Sequence, residues 1–489
     1  MEPPEKTALR KIPSVEALLQ DPALSRWDGQ VPRRLVADAV RAAVQETRGL
    51  LARACGAEMT AEAVRAEILA RTDDAVRRAV GPHYRRAVNA TGIILHTGLG
   101  RAPLPGRALG QIAEHLAGYS VLQTDIASGQ RDRRDARIEW LLQQLTGCEA
   151  ATVVNNNAAA TMIVLAALAA GREVIVSRGQ LVEIGGSFRL PVVCAASGAR
   201  LVEVGTTNKT HPRDYEQAIT SETAAILRVH PSNYRIVGFT AEVPLAELVG
   251  IAHARNLLLV DDVGAGALLD FSRFGFTDQP RLSDSIREGA DVVLSSADKL
   301  IGGPQGGLIL GRAPLVEKIR THPLARILRV GKLTLAALEA TLGLFFDEAT
   351  ALREVPALAL LARPLTDVAA QAERIAAAIR AAAPGATVAT IEGASEMGSG
   401  SMPAQPIPTR LVAVALRPTQ GDPEKGRGVA SEKVTPDELA SRLRRHEPPV
   451  FARIQDGRVL LDPRTLLEGD EAIVVDAIAQ ALRTTLSPR

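Results

Sequence analysis

The chain has 489 residues, a hydrophobic fraction of 46% and a formal net charge of +2 at pH 7. This length and apolar content support a large domain with one or two smaller ones and exclude a disordered chain. The net charge is too small for attraction of nucleic acid by the whole surface, and the aromatic fraction of only 3% argues against base stacking, so an RNA partner would be recognised by a local patch.

Residues 1–20 lack a basic stretch followed by an apolar one, so we expect no secretion signal. The longest apolar run, residues 158–170, is too short to span a bilayer. We therefore expect a cytoplasmic protein. Cys55, Cys148 and Cys194 form no CxxC pair, so neither a disulfide framework nor a metal site is predicted, and buried free thiols are expected.

Helical periodicity dominates before residue 88 and predicts a small helical domain. Val36 and Val44 lie on one face of the first long helix, and a second helix is expected from a Thr60 cap towards Val80. The arginines of both helices alternate with acidic residues. That pattern alone favours a solvated helix surface over an RNA-binding face.

Short, continuously apolar segments alternate with helical ones over residues 88–330. The predicted strands cover residues 151–154, 173–177, 224–230, 257–263, 291–296 and 307–311. Because strands buried on both faces are apolar throughout, this pattern predicts a mostly parallel sheet covered by helices on both sides. Ligands of such sheets bind at the carboxyl ends of the strands.

The domain boundaries follow from this change of pattern. We predict an N-terminal domain over residues 1–87, a large α/β domain over residues 88–330, and a connecting helix with a smaller α+β domain over residues 331–489. The last domain contains a hairpin signal, IQDGRVLL, with Asp456-Gly457 at the turn. Residues 417–438, rich in Gly, Pro and charge, indicate an exposed loop.

One lysine, Lys299, stands in SSADKLIGGPQGG between a predicted strand and a run of glycines. An amine that is partly desolvated at this edge of the sheet can lose its proton near neutral pH and form a Schiff base. The glycines permit a neighbouring group to approach closely. A lysine that reaches outward from the strand end is the alternative, and this motif alone does not exclude it.

A second motif, VVNNNAAATMIVL, joins a strand to an apolar helix. Asn155, Asn156, Asn157 and Ala158 would present backbone N–H groups at the helix N-terminus, where a phosphate group is favoured. A polar cap on a buried helix explains one of these asparagines but not three. Ser296 is a further candidate for a phosphate contact, although a hydroxyl that satisfies backbone groups at the strand end explains it nearly as well.

Two acids, Asp261 and Asp262, end the strand in LLLVDDVGAG and are followed by small residues. A carboxylate at this place can contact a ring nitrogen, whereas an ordinary loop acid explains at least one of the two. With the phosphate motif and Lys299, in this order along the chain, the pattern indicates a pyridoxal 5′-phosphate enzyme of the aspartate-aminotransferase-like fold (fold type I). In such a site the lysine holds the cofactor aldehyde and the aspartate keeps the pyridine nitrogen protonated.

Three arginines have the surroundings of an anion site. Arg101 occurs in HTGLGRAPL, and Arg326 and Arg329 occur in HPLARILRVGK. The i, i+3 spacing predicts that Arg326 and Arg329 share a helical face, and guanidinium groups suit oxyanions such as phosphate. Ion pairing at an interface is the alternative for each of them.

Long motifs spread over nearly the whole chain resemble those of one enzyme family. They are RAVNATGIILHTGLGRAPL, VVNNNAAA, SRGQLVEIGGSFRLP, EVGTTNKTHPRDY, RVHPSNYRIVGFT, DVGAGALLDF, SSADKLIGGPQGGLILGR and HPLARILRVGKLTLAALEATL. They are similar to the motifs of the bacterial selenocysteine synthases, the L-seryl-tRNA(Sec) selenium transferases. The resemblance implies that Lys299 binds pyridoxal 5′-phosphate and that Asp262 contacts its ring nitrogen. It also implies that Arg101, Arg326 and Arg329 bind the selenium donor, selenophosphate.

The resemblance has further consequences for partners. It implies that the helical region before residue 88 binds selenocysteine tRNA charged with serine, which reverses the interpretation of its arginines, and that subunits form a homo-oligomer, a decameric ring of dimers. Two residues depart from the family pattern: Gly98 stands where Asn is expected, and Ala297 stands where Gly is commoner. Asp261 duplicates the acid at the strand end, so the choice between Asp261 and Asp262 stays open.

The implied reaction converts L-seryl-tRNA(Sec) to L-selenocysteinyl-tRNA(Sec). Lys299 removes the α-proton, hydroxide leaves to give dehydroalanyl-tRNA, and selenium from selenophosphate adds to Cβ. His230 is a candidate for a ring contact or a proton transfer, and a structural histidine is equally compatible.

Two other functions compete with this reaction. A pyridoxal-phosphate lyase or aminotransferase acting on a free small amino acid shares the lysine and the phosphate motif but gives no reason for the N-terminal domain. A tRNA-binding protein whose cofactor fold has decayed is disfavoured by the intact lysine, aspartate and phosphate motif.

Overall fold

The computed structural model describes residues 9–53, 60–186, 188–403, 405–416 and 434–483. The chain forms two compact units, Met1–Arg86 and Ala87–Arg489. Among the described residues, no helix is both long enough and apolar enough to cross a membrane.

The first unit is helical. Its elements are α1 (Val15–Leu19), a 3-10 helix (Pro22–Trp27), α2 (Arg33–Arg53) and α3 (Ala61–Val80). Val36 of α2 packs with Val64 and Ile68 of α3 in one buried cluster. The Thr60 side chain caps α3 by accepting a hydrogen bond from the backbone N–H of Ala63 at 3.2 Å. The two predicted helices and the Thr60 cap are confirmed.

The second unit contains two main sheets, a short hairpin and the helices that connect them. Its strands are β1 (Val88–Ala90), β2 (Ala150–Val154), β3 (Glu173–Ser177), β4 (Glu183–Ile184), β5 (Phe188–Arg189), β6 (Arg200–Val204), β7 (Thr223–Val229), β8 (Leu258–Gly264), β9 (Val292–Ser296), β10 (Gly307–Gly311), β11 (Ala386–Ser395), β12 (Ile407–Leu416), β13 (Val450–Gln455) and β14 (Arg458–Leu461). Its helices are α4 (Gly106–His115), α5 (Ala136–Thr146), α6 (Asn157–Ala169), α7 (Leu190–Ala196), α8 (Pro212–Ala218), α9 (Leu245–His253), α10 (Leu282–Arg287), α11 (Ala313–Thr321), α12 (Pro323–Ile327), α13 (Lys332–Leu344), α14 (Glu348–Glu354), α15 (Pro356–Ala362), α16 (Leu365–Ala382), α17 (Pro436–Arg445) and α18 (Asp470–Arg483).

The larger sheet has seven strands in the order β2-β10-β9-β8-β7-β3-β6. The strands from β9 to β6 in this order run parallel, whereas β10 is antiparallel to both β2 and β9. The predicted strands correspond to β2, β3, β7, β8, β9 and β10, with ends that differ by no more than one residue. The mostly parallel sheet is therefore confirmed.

Alternate side chains of β3 enter two different hydrophobic cores. Val174 and Val176 pack in the same cluster as Ile163 of α6. Ile175 belongs to a second cluster, which includes Leu141 of α5. Because successive strand residues point to opposite faces, helices cover the sheet on both sides, as predicted.

The smaller sheet has five strands in the order β1-β13-β14-β12-β11. β13 and β14 form the predicted hairpin, in which Asp456 and Gly457 have φ values of 50° and 68°. β1, which lies within the range predicted for the large domain, pairs in parallel with β13. The segment that leads into the large α/β region is thus part of the C-terminal sheet.

Two further predictions are answered in part. Cys148 and Cys194 are buried free thiols, as predicted, whereas Cys55 lies outside the described residues. Of the loop predicted over residues 417–438, residues 417–433 also lie outside the described part. Its predicted end was wrong, because Thr435 caps α17 and the helix begins at Pro436.

Candidate active site

A cavity of about 240 Å³ lies at the carboxyl ends of parallel strands in the larger sheet. β7, β8 and β9 end beside it at Val229, Gly264 and Ser296, as expected for a ligand site in this kind of sheet. Its walls include most of the predicted site residues, namely Lys299, Asp262, Asn156, Asn157, Ala158, Ser296, Arg101 and His230.

Lys299 is buried in the wall of this cavity, with only 5% of the residue exposed. Burial, and after it the positive charge of Arg101, lower the pKa of the amine to about 8. Near physiological pH a minority of the amine is therefore neutral, but far more than in an ordinary lysine. The neutral amine is the form that attacks a carbonyl carbon and accepts a proton.

The glycines after Lys299 allow close packing around the site. Gly302 has a φ of +72°, and a Cβ there would lie 2.3 Å from Cγ1 of Val355. At Gly307, the first residue of β10, a Cβ would lie 2.1 Å from the carbonyl oxygen of Asn156. Only glycine at this position lets β10 pack against the start of α6, which lines the cavity.

The two neighbouring aspartates of β8 have different partners. Asp261 is fully buried, forms an ion pair with Nη1 of Arg228 at 2.9 Å and accepts a hydrogen bond from Oγ of Ser285 at 2.7 Å. Its charge is therefore compensated inside the protein. Asp262 instead lines the cavity with Lys299, which makes it the better candidate for contact with a bound ring.

The carboxylate of Asp262 is held by neutral donors. It accepts hydrogen bonds from Nδ2 of Asn157 at 2.8 Å, from Oγ1 of Thr161 at 3.0 Å and from the backbone N–H of Gly264 at 3.0 Å. Burial raises the pKa of Asp262 despite these hydrogen bonds. A buried carboxylate with neutral donors is complementary to a cationic N–H group of a ligand.

The N-terminus of α6 opens on the same cavity. Asn156 is the N-cap residue, and its side chain accepts a hydrogen bond from the backbone N–H of Ala159 at 2.8 Å. The side chains of Asn156 and Asn157 thus cap the helix and hold Asp262. The backbone N–H groups at this end, with the small Ala158 beside them, are the groups that can bind a phosphate.

These features fit pyridoxal 5′-phosphate. The buried amine of Lys299 suits the aldehyde, the carboxylate of Asp262 suits a protonated ring nitrogen, and the N-terminus of α6 suits the phosphate. All three groups line one cavity. The residues present therefore match each functional group of that cofactor.

Arg101 lies beside the lysine. It forms an ion pair through Nη1 with Oδ2 of Asp298 at 2.7 Å. Its φ of 63° is one that residues other than glycine rarely adopt. The ion pair and this backbone conformation hold the Arg101 guanidinium next to the segment that carries Lys299.

The other two predicted arginines do not line this cavity. Neither Arg326 nor Arg329 is among the described residues of its wall. The prediction that they share a helical face was wrong, because α12 ends at Ile327. Arg329 follows the helix and forms a bridge with Val154 at the end of β2, so the chain has turned towards the sheet by that residue.

Sequence reasoning missed two arginines close to this pair. Burial lowers the pKa of Arg134, and the charges of Arg329, Arg326 and Arg131 lower it further. We call these four residues the arginine cluster. The sequence signal was present in RDRRDAR, but its interleaved acids are typical of a solvated segment.

His230 lines the cavity and is neutral at physiological pH. Burial, and after it the charge of Arg228, lower the pKa of the imidazole to about 4. Its backbone N–H donates a hydrogen bond to the carbonyl oxygen of Asp262 at 2.9 Å. A neutral ring favours contact with a bound ring over donation of a proton, and a structural role for His230 stays equally compatible.

Comparisons with known proteins agree with the family resemblance of the sequence motifs. The family described as L-seryl-tRNA selenium transferase matches residues 87–467, and the one described as selenocysteine synthase N terminal matches residues 9–48. The L-seryl-tRNA(Sec) selenium transferase of Geobacter sulfurreducens is 44% identical over 97% of this chain and 99% of its own length. That of Solidesulfovibrio magneticus is 46% identical over 96% and 98%.

A solved structure supports the fold. A D-glucosaminate-6-phosphate ammonia-lyase, 21% identical, superposes with a TM-score of 0.56 and covers 84% of this chain and 99% of that chain. At this identity the likeness concerns the fold alone, and it agrees with the predicted α/β class of fold type I. Because the family match spans residues 87–467 and the relatives match over nearly their whole length, the chain belongs to the L-seryl-tRNA selenium transferase family.

Proposed function

We propose that the cavity around Lys299 is the active site in which this enzyme converts L-seryl-tRNA(Sec) to L-selenocysteinyl-tRNA(Sec) for selenoprotein synthesis. Membership of the family supports the reaction. The observation that carries the site is that the amine of Lys299, the carboxylate of Asp262 and the N-terminus of α6 meet in one cavity. In the overall replacement, the Cβ–O bond of serine breaks with loss of hydroxide, a C–Se bond forms, and the P–Se bond of selenophosphate breaks with release of phosphate.

Pyridoxal 5′-phosphate is the cofactor, and when bound it supplies an electron sink for the charge left on Cα after loss of the α-proton. Lys299 would hold its aldehyde and Asp262 its ring nitrogen. The backbone of Asn156, Asn157 and Ala158 would hold the phosphate, with the hydroxyl of Ser296 beside it. His230 would contribute a neutral ring contact.

Lys299 is also the proposed base that removes the α-proton. Its pKa, lowered from 10.5 to about 8, makes the neutral fraction at physiological pH far larger than that of an ordinary lysine, and the neutral amine is the state that accepts a proton. The charge that then forms on the amine is stabilised by Asp298 and Asp262, since both raise its pKa. The buried wall therefore holds the amine ready to accept the proton and also stabilises the product cation.

Selenophosphate is the proposed selenium donor, and arginines are proposed to bind it. Arg101 lies at the cavity, and the arginine cluster offers several guanidinium groups that suit a tetrahedral oxyanion. Arg326 and Arg329 are not among the described residues that line this chain's own cavity, and we propose that they serve the site of a neighbouring subunit. That arrangement requires a homo-oligomer, which we propose to be a decameric ring of dimers.

The first unit is the proposed binding site for the tRNA. Because the substrate is a charged tRNA, we propose that the reaction takes place in the cytoplasm. The match of residues 9–48 to the selenocysteine synthase N-terminal family supports this assignment. Several arginines there are paired along their own helix, as Arg77 is with Asp73 at 2.8 Å. Such pairs weaken general attraction to phosphates, so recognition of the tRNA by shape is expected.

A conversion assay tests the proposal. Purified enzyme, serine-charged selenocysteine tRNA and selenophosphate should yield selenocysteinyl-tRNA(Sec). Lys299→Ala should lower the rate by about 10⁴-fold or more, because both the attachment of the cofactor and the base are lost. The exposed Lys318 of α11 provides a matched control, since Lys318→Ala should keep the full rate. Substantial conversion by Lys299→Ala would overturn the assignment.

A further inference from the structure

A second, larger cavity lies next to the one that contains Lys299. It has a volume of about 620 Å³, which is in the range that holds a small molecule. The residues that line it come mainly from two segments and are Ile93, His96, Thr97, Gly98, Asn233, Glu396, Gly398, Ser399, Gly400, Ser401, Met402, Pro403, Gln405 and Pro406. We call it the side cavity.

Two chain segments connect the side cavity to the active site. His96 lines the side cavity and Arg101 lines the active site, and the backbone N–H of Arg101 donates to the carbonyl oxygen of His96 at 3.0 Å. Ser232 lines the active site while its neighbour Asn233 lines the side cavity. Because consecutive Cα atoms are about 3.8 Å apart, the two cavities share a wall at this point.

The segment at residues 396–403 is tightly fixed against the segment at residues 93–97. Leu95 donates its backbone N–H to Met397 at 2.7 Å, and Oγ of Ser399 lies 2.9 Å from Oγ1 of Thr97. Ser399 and Met402 both have a φ of 51°, a conformation that non-glycine residues adopt only when their surroundings impose it. The side cavity is therefore a built feature of the fold.

Two polar side-chain atoms in this wall, Nδ1 of His96 and Oγ of Ser401, make no hydrogen bond within the described part of the chain. Ser401 is 3% exposed and lines the side cavity, and its Oγ makes no hydrogen bond within the described part of the chain. A buried hydroxyl without a partner costs free energy, so a ligand that supplies the missing hydrogen bond would be stabilised here.

The charge of the lining limits the ligand. Among the described residues of the side cavity there is no arginine or lysine, and the exposed Glu396 adds a negative charge at its edge. A phosphate or a free carboxylate would therefore be disfavoured. The lining combines apolar side chains such as Ile93, Met402 and Pro406 with hydroxyl and amide groups, which suits a neutral ligand with an uncharged ring and several hydroxyl groups.

We propose that the side cavity binds the 3′-terminal adenosine of the charged tRNA, that is, the neutral ribose and base to which the seryl group is esterified. This inference rests on the proposed function, which brings a seryl ester to Lys299. The ester carries no carboxylate charge, and the nearby Arg101 already pairs with Asp298 at 2.7 Å. The ribose follows the seryl carbonyl directly, so it must occupy space next to the active site.

Calorimetric binding to the cofactor-loaded full chain tests this. The probes are 3′-(L-serylamino)-3′-deoxyadenosine, a stable amide analogue, and L-serinamide, which has the same seryl group without the nucleoside. The nucleoside should bind at least about tenfold more tightly, since each factor of ten needs only about 1.4 kcal/mol of added contact. Equal affinities would overturn the proposal.

A variant that fills the side cavity locates the added contact. At Gly98 the φ lies outside the left-handed range, and a Cβ would meet only the His96 ring, at 3.3 Å and 3.5 Å. Gly98→Trp should remove the nucleoside's advantage and leave serinamide binding unchanged. Gly385→Trp is the matched control, because a Cβ there meets nothing within 4 Å, and it should keep the advantage. An advantage that survives in Gly98→Trp would overturn the proposal.

A milder variant tests the same contact if Gly98→Trp fails to fold. Ser401→Ala should reduce the nucleoside's advantage about threefold to tenfold by loss of one hydrogen bond, and an unchanged advantage would contradict the role of that hydroxyl.

Failure of the side-cavity proposal can be distinguished from failure of the proposed function. A chain that converts seryl-tRNA(Sec) without any nucleoside advantage overturns the side-cavity proposal alone. A chain that shows the advantage without conversion supports the side cavity and overturns the proposed reaction.

Discussion

Asp261 and Asp262 are consecutive residues of β8, so their side chains leave opposite faces of the strand. Asp261 is neutralised by Arg228, whereas Asp262 lines the cavity with Lys299. The sequence alone left open which of them contacts a cofactor ring. The distribution of partners supports Asp262, since a carboxylate already paired with arginine is not available to a ligand.

Substitution of each aspartate should have a different effect. Asp262→Asn should lower the conversion rate by about 100-fold or more, because the ring nitrogen loses its anionic partner, and it should shift the visible absorption of the bound cofactor. Asp261→Asn should leave that absorption unchanged and lower the free energy of unfolding by about 3 kcal/mol, since Arg228 loses its charge partner. Visible spectra and urea unfolding measure both effects, and the reverse pattern would exchange the roles.

At the residue scale, sequence reasoning located groups whose chemistry is local. Lys299 and Asn156 each follow a strand that is recognisable from its apolar residues, Asp262 lies near the end of another, and all three line the cavity. Thr161 was missed although it donates to Asp262 at 3.0 Å. It lies one helical turn after Asn157 in an otherwise apolar helix, and this polar residue was the signal that could have found it. Arg134 joins the arginine cluster only through tertiary packing, which no local pattern reports.

At the element scale, the first residue of β10 controls the start of α6. Gly307→Ala would place a Cβ 2.1 Å from the carbonyl oxygen of Asn156, so the strand or the helix start must shift. The substitution should weaken cofactor binding about tenfold or more, measured by titration of the apoprotein with pyridoxal 5′-phosphate. Gly110→Ala, in α4 with nothing within 4 Å of its Cβ, should leave cofactor binding unchanged and add about 0.5–1 kcal/mol of stability. Unchanged cofactor binding in Gly307→Ala would contradict the account of this contact.

The strands that were predicted within one residue of their ends are those with a nearly continuous run of buried residues, including β2 at one edge of the sheet. β6 was not predicted, because it is an edge strand in which exposed Arg200 and Glu203 interrupt the apolar pattern. Arg326 and Arg329 were placed on one helix because their spacing is helical, but α12 ends at Ile327. Periodicity thus predicts buried elements well and the ends of short exposed helices poorly.

At the scale of the whole molecule, the first unit and the cofactor-binding unit each have a hydrophobic core. Deletion of residues 1–85 should therefore leave cofactor binding intact and abolish binding of the charged tRNA. Gel-shift titration and the visible spectrum of the shortened chain measure the two properties. Retained tRNA affinity would contradict the assignment of the first unit, and a lost cofactor band would show that the second unit depends on it.

The most direct test of the account is a visible absorption titration of the purified, cofactor-loaded enzyme. Free serine is added first and seryl-tRNA(Sec) second, with uncharged tRNA as the control. The account predicts that the cofactor band changes with seryl-tRNA(Sec) and stays unchanged with free serine and with uncharged tRNA. A band that responds to free serine and not to the charged tRNA would contradict it and would indicate an enzyme of free amino acids.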